Sequence, residues 1–89
     1  MKYTKKNLKG IGIESLNREM SLKIIEELSK LGIWKGWTGS PSLVYYGINK
    51  QNFDWCGSEK SFNKTITFEE FMNGNAIPNN EIIENFEIF

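Results

Sequence analysis

Only one stretch of this sequence, residues 17–31, carries apolar residues at helical spacing over a length that can cover a sheet. Leu16, Met20, Ile24, Leu28 and Leu31 recur every three or four residues, and Ile25 widens the stripe. A chain with a single long amphipathic helix cannot build a helical bundle, so the stripe has to be buried against strands. Asn17 suits the N-cap of this helix. Gly32 suits the left-handed position after its end, with Ile33 folding back onto Leu28. Glu19–Lys23 and Glu26–Lys30 are i,i+4 pairs in the favourable order on the wet side.

The rest of the chain reads as short extended segments and turns. Gly10 to Ser15 alternates, with Ile11 and Ile13 on one face, and reads as a first strand. Its two glycines do not make a phosphate loop: Ser15 stands where a G-x-G-x-x-G fingerprint needs its third glycine, and no Walker lysine follows. Ser42–Ile48 and Phe53–Cys56 read as strands joined by the polar hairpin Asn49–Asn52. After a turn over Gly57–Ser61, Phe62–Thr67 is extended again. Thr67-Phe-Glu-Glu70 is a capping box that starts a short helix, which Gly74 stops. Asn75–Asn80, with Pro78, reads as a loop, and Glu81–Phe89 ends in an alternating stretch that suits a last strand. The basic residues 1–9 read as a frayed arm or a short edge strand. The expected fold is α+β: a small antiparallel sheet of four to five strands packed on one long helix, plus a short second helix. Its 89 residues make one domain, with a basic arm over 1–9, a core over 10–73 and a C-terminal loop and strand over 74–89.

The residue inventory removes most catalytic chemistry. Histidine is absent and Asp54 is the only aspartate, which excludes histidine triads and histidine metal sites. Cys56, the single cysteine, has no partner for a disulfide and no histidine to activate it. Glu69 and Glu70 are adjacent on a helix and point about 100° apart, a poor geometry for paired acid–base work. The expectation is a protein that is not an enzyme and uses no metal or cofactor. No apolar run reaches the length of a membrane span, and a single free cysteine suits a reducing compartment, so a cytoplasmic location is expected.

Charge is balanced overall but unevenly spread. Residues 1–50 hold nine Lys and Arg against four Glu, whereas residues 51–89 hold two Lys against seven acids. One arginine and zero net charge argue against nucleic acid as a partner.

Three Trp, three Tyr and six Phe exceed what a core of this size requires. Trp34 and Trp37 fall in a loop of Gly, Ser and Thr, with Lys35 between them. Flat rings stack on planar ligands, while lysines and hydroxyls reach phosphate or ribose. Trp34, Lys35, Trp37, Thr38, Ser40, Tyr46 and Trp55 are therefore the candidate ligand-binding residues. Tyr45 and Tyr46 alternate along a strand, so they face opposite ways. Spare aromatic surface also makes the chain a candidate homo-oligomer.

The run Leu31-Gly32-Ile33-Trp34, then a Tyr-containing strand, a Trp-containing strand and Lys64-Thr-Ile-Thr-Phe-Glu-Glu-Phe71, resembles small bacteriophage proteins. The resemblance covers roughly residues 10 to 73 and transfers no catalytic residue. It implies an anti-defence binding protein in the host cell cytoplasm, one that sequesters a nucleotide-derived immune signal without catalysis. The alternative it implies is a protein–protein inhibitor of a bacterial immune or host enzyme. That inhibitor would dock through the acidic C-terminal half, with Glu81, Glu84 and Glu87.

Overall fold

The computed structural model describes residues 3–33 and 39–74. The elements run β1 (Ile11–Ser15), α1 (Arg18–Lys30), β2 (Val44–Ile48), β3 (Asp54–Gly57), a single 3-10 turn (Glu59–Ser61), β4 (Lys64–Ile66) and α2 (Phe68–Met72). The fold is α+β, with four strands, one long helix and one short one. The loop expected over 75–80 and the strand expected over 81–89 lie outside the described residues.

Local signals explain α1 well. The Asn17 side chain accepts from the Met20 N–H at 2.9 Å, and the Ile33 N–H donates back to the Leu28 carbonyl at 3.0 Å. Gly32 takes the left-handed conformation, φ 77°, that this return requires. Lys23 and Lys30 pair with Glu19 and Glu26 on the exposed side. The buried stripe is Ser21, Ile24 and Leu28, while Leu16 stays exposed at the N-terminal end.

The sheet order is β3-β2-β1-β4. β1 pairs antiparallel with β2, and β2 with β3, but β1 pairs parallel with β4 through Ile11↔Lys64 and Ile13↔Ile66. The sheet is therefore mixed rather than wholly antiparallel. The parallel pair arises because the chain leaves β3 at one edge and crosses two strands to reach the other.

One face of the sheet is the core. Ile11, Ile13, Tyr46, Ile48 and Ile66 meet Ile24, Leu28, Ile33 and Phe71 in a single buried cluster, so α1 and α2 cover the same face. Tyr3 and Leu8 belong to this cluster. From residue 3 the expected arm is thus neither frayed nor an edge strand. Tyr3 stacks on Phe71 at 5.2 Å and its hydroxyl donates to the Phe71 carbonyl, while Thr4 and Asn7 close a turn that turns the lysines outward.

The other face is built on glycine. Gly12 and Gly47 are paired across β1 and β2. A Cβ on Gly12 would come within 2.5 Å of the Phe62 ring, and one on Gly47 would strike the Ile11 carbonyl oxygen. Phe62, carried by the crossover between β3 and β4, is buried over this pair and lies outside the main cluster.

Candidate functional site

A knot of hydroxyls joins β1, α1 and β2. Ser15 and Ser21 are fully buried with their Oγ atoms 2.6 Å apart; the Ser21 hydroxyl reaches the Ser40 carbonyl at 3.2 Å, and the Ser15 hydroxyl reaches the Asn17 carbonyl at 3.0 Å. Two hydroxyl protons serve three contacts, so one is shared. From the other side, the Ser40 N–H donates to Tyr46 Oη at 3.0 Å. Ser40 is thus held through both backbone groups. Its hydroxyl closes a turn with Ser42, accepting from the Ser42 N–H at 3.2 Å.

This knot fixes the point at which the chain returns from the aromatic loop. Gly39 is buried, and a Cβ there would come within 3.2 Å of Leu22 and Arg18 of α1. Trp34, Lys35, Trp37 and Thr38 lie outside the described residues. Of the other candidates, Ser40 is partly buried, Tyr46 is fully buried and Trp55 is 45 % exposed. Tyr46 pairs with Ile13 and Cys56 on the helix-covered face, whereas Trp55 pairs with Gly47 on the glycine face. The two rings therefore do not meet at one surface. Tyr46 holds Ser40 rather than offering a ring to solvent, and Tyr45 is the tyrosine that faces outward.

Around Tyr45 the surroundings are anionic. Its hydroxyl donates to Glu14 Oε2 at 3.3 Å across the β1–β2 pair. Desolvation, then the charges of Glu14 and Glu59, raise the phenol above its ordinary value. Cys56 is half-buried, and burial likewise pushes its thiol up, with the Tyr46 hydroxyl opposing. A raised thiol stays protonated at neutral pH, which suits packing more than nucleophilic attack. Among the described residues no group of three or more acidic or cysteine side chains stands close enough to hold a metal ion. No helix among them is long and apolar enough to cross a membrane.

What sequence reasoning missed is a set of leucines. Leu16, Leu22 and Leu43 are each more than half exposed. Leu16 follows β1, Leu43 precedes β2 beyond the Ser15↔Val44 pair, and Leu22 lies where it would crowd a Cβ on Gly39. Leu16 and Leu43 flank the paired ends of β1 and β2, while Leu22 lies on α1, next after the buried Ser21. A signal for Leu22 was present, because it lies off the apolar stripe of α1. Leu43 alternates with Tyr45 on the side opposite Tyr46, a second legible hint.

Compared with family models, curated proteins and solved structures, the chain matches none of them.

Proposed function

We propose that this protein works by binding rather than by catalysis, and that its target is another protein. The observation that carries this reading is three exposed leucines, each next in the chain to a residue of the serine knot or of the β1–β2 pair: Leu16 after Ser15, Leu22 after Ser21 and Leu43 before Val44. Single exposed leucines are ordinary, but a group of them on a well-ordered scaffold marks an interaction surface. Leucine side chains bury well against a partner and offer nothing to phosphate, so a protein fits these residues better than a nucleotide. Gly39 and Ser40, the described residues that follow Thr38 in the chain, sit against α1 near Leu22 and Ser21. The resemblance to small bacteriophage proteins suggests a bacterial immune or host enzyme as the class of target.

Capture of a nucleotide-derived ligand is the second reading. It is favoured by the half-exposed indole of Trp55, a flat ring available for stacking.

A photo-cross-linking residue at Leu43, compared with one at Lys30 at the far end of α1, tests the first reading in cells carrying nucleotide-signalling defences. A discrete protein adduct from position 43 alone, lost on Leu16→Asp or Leu22→Asp, supports it. No adduct, or equal adducts from both positions, contradicts it. Native mass spectrometry of protein from the same cells tests the second reading, through a ligand-sized mass increment abolished by Trp55→Ala.

A further inference from the structure

β3 ends the sheet, and among the described residues no strand lies beyond it. Natural edge strands are usually blunted by lysine, proline or a bulge. β3 carries no lysine or proline: its sequence is Asp-Trp-Cys-Gly, preceded by Phe53, and its guards are its four-residue length, Asp54 and the left-handed Asn52 before Phe53. Phe53 is two-thirds exposed and Trp55 nearly half exposed. Trp55 pairs with Gly47 and Gly57 with Tyr45, so Phe53, Trp55 and Gly57 alternate onto the glycine face.

The backbone restricts how this edge can be extended. The Asn49 N–H donates to the Phe53 carbonyl at 2.8 Å, which makes 49 and 53 a hydrogen-bonded pair. Alternation then directs the backbone of 53, 55 and 57 towards β2 and that of 54 and 56 away from it. A two-fold antiparallel pairing of β3 with itself must run through 54 and 56, so it can be centred on 54, 55 or 56. Centring on 54 sets Asp54 opposite Asp54, and like charges directly opposite destabilise a pair. Centring on 56 leaves Phe53 beyond the end of the paired stretch. Centring on 55 overlaps the full strand, with Asp54 opposite Cys56, Trp55 opposite Trp55 and Phe53 opposite Gly57. The Trp55 Nε1 lies 2.6 Å from where a Gly57 Cβ would stand, so the indole covers Gly57 and offers an incoming phenyl ring an aromatic contact.

We propose that β3 pairs with β3 of a second copy about a two-fold axis through Trp55, making one continuous eight-stranded sheet. The axis stands perpendicular to the sheet, so both glycine faces point the same way and the two ends flanked by Leu16 and Leu43 lie at opposite extremes. Each dimer would then offer two target sites.

Sedimentation velocity of the intact chain up to about 200 µM tests this, a range that reaches weak self-association. The expected result is a concentration-dependent dimer, weakened at least about tenfold by Trp55→Lys and left unchanged by Leu43→Lys. Residues facing each other in a non-hydrogen-bonded antiparallel pair have Cα atoms about 4.5 Å apart, within disulfide reach. Oxidised Trp55→Cys in a Cys56→Ser background should therefore give a covalent dimer, and Phe53→Cys in the same background should not. A monomer at every concentration overturns the proposal. So does a dimer indifferent to Trp55→Lys, or equal cross-linking from positions 53 and 55.

Discussion

The two faces of the sheet are packed by opposite means. On the helix-covered face, branched and aromatic side chains of three strands interdigitate with Ile24, Leu28, Ile33 and Phe71, and the space is filled from both sides. On the other face, β1 and β2 contribute Gly12 and Gly47, and one ring, Phe62, fills the hollow between them. Many interlocking chains spread the cost of losing any one of them. A face resting on one ring and two missing side chains concentrates that cost, and its glycines become as specific as any core residue.

The largest expected effect tests that concentration. Gly47→Ala should prevent stable folding, because its Cβ meets a backbone carbonyl that cannot move without breaking the β1–β2 pair. Circular dichroism would show loss of the folded signal. Next, Phe62→Ala should cost about 3–5 kcal/mol in urea denaturation, as much as Leu28→Ala on the far better populated face, where about 2–5 kcal/mol is expected. A Phe62→Ala effect under about 1 kcal/mol would show that the glycine face contributes little to stability.

Gly12→Ala should cost about 1–3 kcal/mol by pushing on the Phe62 ring, and Phe62→Leu should relieve part of that cost. The double-mutant cycle measures the coupling, and simple additivity would mean that ring and glycine do not press on each other. On the helix-covered face, Tyr46→Phe should cost about 1 kcal/mol by leaving the Ser40 N–H without its acceptor. Faster amide exchange at Ser40 than elsewhere would locate the loss.

The smallest effect lies in the capping box of α2. The Thr67 N–H donates to Glu70 Oε1 at 3.0 Å, and this bond, followed by the Thr67 side chain, holds the Glu70 carboxyl below its ordinary range. A lowered value in the folded state favours folding above the unfolded carboxylate range, and the gain disappears as pH falls through the folded value. Glu70→Gln should therefore lower the neutral plateau of a stability–pH curve slightly and flatten its acid limb, the two proteins converging at acid pH.

The helices were legible in the sequence because their signals are local. Asn17, Gly32, Thr67 and Glu70 act on backbone groups a few residues away, and the structure uses each in that way. The parallel β1–β4 pair was not legible, since no residue in Ile11–Ile13 encodes a partner at Lys64–Ile66. The arm's lysines masked Tyr3 and Leu8, and Tyr3 packs on Phe71 of a helix near residue 70. Gly12 looked like a strand glycine beside a turn, and only Phe62, fifty residues on, explains it. For the candidate site, alternation separated Tyr45 from Tyr46 correctly but could not say which faced the helix. That depended on the register that sets Tyr46 opposite Ile13.

The position of β1 has a consequence for how the chain is made. Among the described residues the earliest strand in the chain is a central one, flanked by β2 and β4, and its last neighbour is some fifty residues away. Closing so long a loop directly is entropically costly, whereas prior pairing of β1, β2 and β3 leaves only the crossover from Gly57 to Lys64 to close. During synthesis α1 and the β1–β2–β3 meander can associate first, with the hollow over Gly12 and Gly47 still empty. Phe62, two residues before β4, is the side chain whose entry would fill that hollow.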